Sequence, residues 1–387
     1  MRLTPTTSPG DPFARRMAMF YAAYFAFMGI QLPFMPVWLE ARGLDSGEIG
    51  VVLALAMAAR PLVVPLATRI ADRLGWLKGP LVAASFCTAA GFLLLGTVSG
   101  FPAILAVYGL ASVFWAVILP FGDAFALRGL AVRQKAYGPV RLWGSVTFIV
   151  ANLGGGVLLE RLGAPNLVWA LFATLSASAL VTVFLVPAGA PPEAAEKKAS
   201  RPGLWRSKVF VAVVVAGSLV QASHAVLYGF ASLQWAAKGL DGFQIGGLWA
   251  IGVVAEVLLF AMSGRIAQKL GPLDLLVVGA MGAAVRWGVM AFDPPAIALP
   301  ALQCLHGLSF GATHLAAMLF LQREQRGATA QGDYSSMVAV VSAAGMGMSG
   351  LLVEAGGSLA YLAMATPAAA GVGIALAARR AARPRPA

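Results

Sequence analysis

Charge is scarce in this chain. Only 11% of its 387 residues are Asp, Glu, Lys or Arg, 59% are hydrophobic, and the mean hydropathy is +0.80. A soluble domain carries about 25% charged residues. A soluble chain of this length could bury a large core, but this composition would leave too little polar surface to face water. A soluble globular protein is excluded, and an integral membrane protein is implied. Cysteine is scarce too: Cys87 and Cys304 both sit inside apolar stretches, which excludes a disulfide framework and reads as two small buried hydrophobes. No GxxxxGK[ST] loop, HExxH, CxxC or GxSxG occurs, and there is no sizeable soluble domain. ATP-driven transport, metal chemistry and nucleophilic catalysis therefore have no motif to stand on. No enzyme, no metal and no cofactor are expected.

What the chain does contain is long apolar runs. About 20 such residues cross the hydrocarbon core as a helix. Twelve stretches qualify: 17–39, 48–68, 79–99, 102–127, 138–159, 166–187, 209–236, 243–264, 273–292, 296–321, 333–354 and 357–378. Most connections are short. The exception, AGAPPEAAEKKASRPGLWRSK at 188–208, separates six spans from six. The expected organisation is an N-terminal six-helix bundle over 1–187, a linker over 188–208 and a C-terminal six-helix bundle over 209–387. The opening MRLTPTTSPGDPFARR lacks a small-residue cleavage signature after it, so the first span reads as retained, behind a short tail.

The net charge of +12 and pI of about 10.2 would suggest nucleic acid as the partner of a soluble protein. Here the charges mark a membrane face instead, with lipid as the partner and no nucleic acid. The even-numbered connections, the linker and both tails hold twenty-two of the twenty-eight Lys and Arg residues. The opposite face holds three, and Arg60, Arg141 and Arg286 fall inside spans. By the positive-inside rule both termini and the linker are cytoplasmic. RIADRLG (69–75) after span 2 is echoed by RIAQKLG (265–271) after span 8. That internal repeat points to two related bundles, the architecture of alternating-access transporters.

Polar groups within spans are costly, so each is a candidate functional residue. The deep ionisable residues are Arg60, Asp123, Arg141, Glu256, Arg286, His224, His306 and His314. Two residues equidistant from a hairpin tip lie at similar heights, since both helices rise by about 1.5 Å per residue. Asp123 and Arg141 each lie nine positions from residue 132. Glu256 and Arg286 each lie fifteen from Gly271, and Arg286 and His306 each lie ten from residue 296. Glu256, Arg286 and His306 thus share one level near mid-membrane, and Arg286 is expected to be held by Glu256 with His306 alongside. Both charge pairs read either as functional or as static bridges that fix register. Each histidine reads either as a ligand or as a packed, hydrogen-bonded group. Trp143 follows Arg141, and Tyr228 lies four residues after His224, on the same helical face. Such aromatics suit a solute with a ring or sugar face.

VRLWGSVTF (140–148), SHAVLYGF (223–230), GVVAEVLLFAMS (252–263), VRWGVM (285–290) and HLAAM (314–318) carry a resemblance along nearly the whole chain. The sequence resembles the major facilitator superfamily, its lactose-permease-like branch, and within it the bacterial 3-phenylpropionate permease family. TRIADRLGWLK (68–78) is similar to the superfamily's loop between spans 2 and 3, with Thr68 and Trp76 departing from the usual residues. The resemblance implies gating by Asp72 and Arg73. It puts Asp123 and Arg141 at a substrate-contacting carboxylate–arginine pair, and Glu256, Arg286 and His306 in a substrate-and-proton network. Ser309 and Gln303 stand where that permease carries a glutamate and a lysine.

These observations give an expected fold, all-α with twelve transmembrane helices in two six-helix bundles. The expected function is proton-coupled uptake of a small organic solute, such as an aromatic carboxylate, in a bacterial inner membrane. The chain is expected to work as a monomer, with protons as the coupling ion. Glu256, Arg286 and His306 would couple protons. Asp123, Arg141, Trp143, His224, Tyr228, Arg286 and His314 would bind solute. Efflux of drugs or metabolites and sugar or nucleoside symport share the architecture. An intramembrane enzyme would need a converged nucleophile and base, and a sensor would need a signalling domain that the tail ARRAARPRPA lacks.

Overall fold

The computed structural model describes residues 12–74, 77–189, 204–323 and 328–382. The side chains of Asp72 and Arg73 lie outside the described residues, so their expected gating role has no geometry behind it. The described chain is helical throughout. Spans 1 to 6 are α1 (Pro12–Ala41), α2 (Ser46–Leu74), α3 (Lys78–Leu95), α4 (Phe101–Val132), α5 (Tyr137–Leu162) and α6 (Leu167–Val183). Span 7 comes in two pieces, α7 (Lys208–Ala222) and α8 (Ala225–Ala237). Span 8 is α9 (Gly242–Ala261), continued by the short α10 (Ser263–Lys269), and span 9 is α11 (Pro272–Met290). Span 10 runs α12 (Leu299–Cys304), a π-helical segment (Gly307–Ala312) and α13 (Thr313–Arg323). Spans 11 and 12 are α14 (Ala328–Gly356) and α15 (Ala360–Ala381).

Each of the twelve apolar stretches falls on helical structure, unbroken or, for spans 7, 8 and 10, in more than one piece. Among the described residues eleven helical segments are long and apolar enough to cross a membrane, and the last, Ala330–Ala381, takes in most of α14 and all of α15. Helices are the expected answer to an oily solvent, because they satisfy backbone N–H and C=O groups within one segment. Their ends carry ordinary start signals. Asp241 and Gln244 form a reciprocal capping box at α9, and Ser207 accepts from the backbone N–H of Phe210 at α7. Pro33 and Pro36 in α1, Pro120 in α4 and Pro367 in α15 lie within helices, as bundled membrane helices tolerate.

The chain clusters into two compact units, one within Met1–Arg42 and Leu62–Lys197, the other within Gly43–Pro61 and Lys198–Ala387. In the first, α1 packs on α5 and α6, and α3 on α4 and α6. Small residues permit the approach: a Cβ added at Gly29 would lie 2.6 Å from the Phe148 carbonyl oxygen on α5. In the second, α7, α11 and α15 pack on one another and α14 packs on α7 and α8. The first half of α2 belongs to this unit by its packing. Gly350 on α14 leaves no room for a Cβ against the Ser46 carbonyl.

One expectation is corrected here. Cys87 and Cys304 are free but exposed, not buried. In a membrane chain the outer face of a helix is apolar as well as the inner one, so an apolar neighbourhood does not tell inside from outside.

Candidate functional site

Arg286 on α11 is completely buried. Its Nη2 donates to Gln303 Oε1 at 2.6 Å, and its Nη1 donates to His306 Nδ1 at 3.2 Å and to Ser309 Oγ at 3.3 Å. The guanidinium also lies 4.7 Å from the Trp287 ring centroid. All three hydrogen-bond acceptors come from span 10, around its π-helical turn. This corrects the expected partner, since no direct ion pair joins Arg286 to Glu256 among the described residues. Glu256 reaches the cluster one ring away, with Oε2 3.7 Å from His306 Nε2. Its side chain is 21% exposed, whereas Arg286 has no exposed surface. Two glycines let α9 come this close: a Cβ at Gly307 would lie 3.0 Å from the Ala255 carbonyl, and one at Gly311 would lie 3.4 Å from Glu256 Cγ.

The direction of each hydrogen bond follows from chemistry. Arginine can only donate, so His306 Nδ1 accepts and the proton of the neutral ring sits on Nε2, facing Glu256. A carbonyl can only accept, so His224 Nδ1, 3.1 Å from the Val220 oxygen, is the donor. His224 Nε2, 3.0 Å from Ser309 Oγ, then accepts the hydroxyl proton. The chain of bonds therefore runs in a fixed sense from Arg286 through Ser309 and His224 to Val220, with a branch to His306, whose Nε2 faces Glu256 Oε2 at 3.7 Å, longer than a hydrogen bond. Arg286 Nε and Gln303 Nε2 have no partner in this arrangement.

His224 sits where span 7 breaks, between α7 and α8. Its ring is fully buried, and both ring nitrogens are spent. A face for solute, expected of His224, is therefore not offered here. Tyr228 stacks on it at 5.7 Å and on Trp249 at 6.0 Å, and Tyr228 remains partly exposed. His314 lies two helical turns beyond His306, in a stack through Phe310, with ring centroids 5.2 Å and then 6.2 Å apart. It packs beside Phe260 and does not join the Arg286 cluster.

The first unit holds a second polar group. Asp123 on α4 accepts hydrogen bonds from Tyr21 Oη at 2.7 Å and Tyr137 Oη at 2.9 Å. Arg141 on α5 lies over two rings, 4.1 Å from the Phe25 centroid and 5.2 Å from that of Tyr21. The two expected partners therefore meet the same tyrosine without forming an ion pair. Among the described residues no carboxylate comes within 4.0 Å of the Arg141 guanidinium. The Arg141 side chain is partly exposed. Trp143 does not belong to this group. It is 56% exposed and lies two residues from Arg141, roughly 200° around the helix.

Sequence reasoning missed Tyr21, Phe25 and Tyr137 as the partners of Asp123 and Arg141. It also missed Gln303 and Ser309 as the groups that hold Arg286. Only the latter two carried a signal, as positions departing from the permease pattern.

Residues 14–363 match the MFS_1 like family. The chain is 32% identical over 343 residues to a probable 3-phenylpropionic acid transporter of Escherichia coli (strain K12), covering 86% of this chain and 87% of that protein. It is 29% identical over 335 residues to a maltose permease of Geobacillus stearothermophilus, covering 85% and 83%. Among solved structures, the nucleoside transporter NupG superposes with a TM-score of 0.81 at 16% identity, covering 97% of this chain and all of that one. That last likeness concerns the fold alone.

Proposed function

The chain belongs to the MFS_1 like family and is a multi-pass secondary transporter of the major facilitator fold; from that premise we propose that it takes up a small organic anion of the aromatic carboxylate class together with protons. Its setting on this reading is a bacterial inner membrane, with both termini in the cytoplasm. Glu256 is the proton acceptor. The observation that carries this is a partly exposed carboxylate 3.7 Å from an imidazole that hydrogen-bonds a buried guanidinium, which has no ion-pair partner among the described residues. A charge in the membrane interior is costly unless it is paired. With Glu256 ionised, the cluster of Arg286, His306 and Glu256 is neutral overall. Protonating Glu256 removes its charge and leaves Arg286 uncompensated. Proton loading therefore changes the electrostatics of the second unit, which is what coupling requires. His306 does not carry the proton: its Nδ1 lone pair is committed to Arg286, and it serves to present Nε2–H to Glu256.

Solute binding is assigned to Arg141. A guanidinium resting on aromatic faces, with no protein carboxylate within ion-pairing distance, suits a ligand that supplies its own carboxylate and a ring. The relative named a probable 3-phenylpropionic acid transporter supports that class. A sugar is the second reading. Asp123 accepts two phenolic hydroxyls that sugar hydroxyls could replace, and one relative is named a maltose permease.

Proteoliposomes loaded at a set internal pH test the assignment with radiolabelled 3-phenylpropionate. The expected result is uphill uptake driven by an inward proton gradient. Glu256→Gln should abolish accumulation but spare solute counterflow. Uphill uptake at the wild-type level in Glu256→Gln would remove the glutamate from the coupling step.

A further inference from the structure

We infer that Ser309 and His224 are positioning residues that tie the break in span 7 to the protonation state of Glu256, and the inference rests on Glu256 being the proton acceptor. At the break, the backbone N–H of His224 bonds to the Gln221 carbonyl at 3.2 Å. A regular α-helix would have sent it to Val220, four residues back. The Val220 carbonyl is satisfied by side chains instead, accepting Ser223 Oγ at 2.6 Å and His224 Nδ1 at 3.1 Å. Each of these side chains is held by another span. Trp287 Nε1, next to Arg286 on α11, donates to Ser223 Oγ at 2.8 Å. Ser309, in the π-helical turn of span 10, holds His224 Nε2 at 3.0 Å. The broken backbone of span 7 is thus closed by side chains anchored on spans 9 and 10. Ser223, His224 and Ser309 are all fully buried, so water does not substitute for these bonds.

The fixed sense of the bonds gives the tie a sign. Arg286 Nη1 is shared between His306 Nδ1 and Ser309 Oγ, at 3.2 Å and 3.3 Å. An ionised Glu256 polarises the His306 ring and strengthens Nδ1 as an acceptor, drawing Nη1 towards His306. A neutral group at position 256 releases that pull, and Nη1 bonds more strongly to Ser309. A hydroxyl that accepts more strongly donates more strongly in turn. The Ser309 bond to His224, and the His224 bond to Val220, then tighten together. A protonated Glu256 holds the break closed, and an ionised one loosens it. Ser309 is the junction, because its hydroxyl hydrogen-bonds both Arg286 and His224.

Hydrogen–deuterium exchange on the purified full chain in nanodiscs reads this without a substrate. In the wild-type background, Glu256→Gln should slow exchange at the amides of residues 220–228 by about twofold. Ser309→Ala should speed it by about fivefold, the factor expected for one lost hydrogen bond, and Ser309→Thr should restore it. In the Ser309→Ala background the Glu256→Gln effect on this segment should vanish. Additive effects of the two substitutions, or no change at 220–228 in Glu256→Gln, would overturn the inference. Uptake assays on the same variants keep the two questions separate. Uphill uptake surviving in Glu256→Gln sinks the proton-acceptor reading, whereas additivity in exchange with intact coupling behaviour sinks only the tie to span 7.

Discussion

Gln303→Glu places a second carboxylate against Arg286, where Gln303 Oε1 now accepts from Nη2 at 2.6 Å. The new pair gains an attraction of about 4 kcal/mol at 4 Å for an effective dielectric of about 20. Desolvation of the carboxylate offsets most of that, so folding stability should change little. Coupling should change a great deal. In the wild type Glu256 approaches Arg286 only across the His306 ring, its Oε2 3.7 Å from His306 Nε2. Once residue 303 neutralises the guanidinium directly, adding or removing a proton at Glu256 no longer decides whether Arg286 is compensated. If about 1.4 kcal/mol of coupling is lost, solute accumulation under a fixed proton gradient falls roughly tenfold, while counterflow persists. Gln303→Met separates this effect from simple damage. It removes one charge-assisted hydrogen bond, worth about 1.5–3 kcal/mol, without adding a carboxylate. It should lower the melting temperature of the detergent-purified protein more than Gln303→Glu does. Wild-type accumulation in Gln303→Glu would refute the idea that Arg286 lacks a counter-charge for Glu256 to supply.

The other substitutions address the first unit. Arg141→Lys keeps the charge but gives up the flat guanidinium over Phe25 and the two-pronged grip on a carboxylate. The KM for 3-phenylpropionate in vesicle uptake should rise roughly tenfold, in line with about 1.4 kcal/mol, and an unchanged KM would move the anion site elsewhere. Trp143→Ala removes an exposed side chain on the far face of α5 from Arg141, and uptake kinetics should stay within about twofold of wild type, a surface-sized effect of at most about 0.5 kcal/mol. Gly29→Ala drives a Cβ to 2.6 Å from the Phe148 carbonyl and 2.7 Å from Ala151 Cβ. Overpacking there should cost about 1–3 kcal/mol, read as a lower melting temperature.

The spans were legible because a bilayer demands about 20 apolar residues in succession, a one-dimensional signal that survives without any knowledge of packing. The heights of Glu256, Arg286 and His306 were legible for a similar reason, since helical rise converts residue counts into depth. Direction around each helix was not. Hairpin counting places two side chains at one level but leaves open which neighbour each one faces, so it pairs Arg286 with an acid, whereas neutral groups on span 10 hold it. The same gap explains Asp123, which looked level with a cation and is capped by two tyrosine hydroxyls. An uncharged acceptor leaves no mark in a charge-pattern reading: Gln303 and Ser309 look like ordinary polar residues in an apolar run. The break at Ser223–His224 was equally silent, because side chains fully replace the lost backbone bond and no Pro or Gly announces it. Depth is written in the order of residues, but azimuth is decided where helices meet. Here Gly307 and Gly311 decide it, by letting α9 bring Glu256 within reach of His306. Bulky residues at those two positions would leave the hydropathy pattern almost untouched, yet push apart the groups on which the proposed coupling depends.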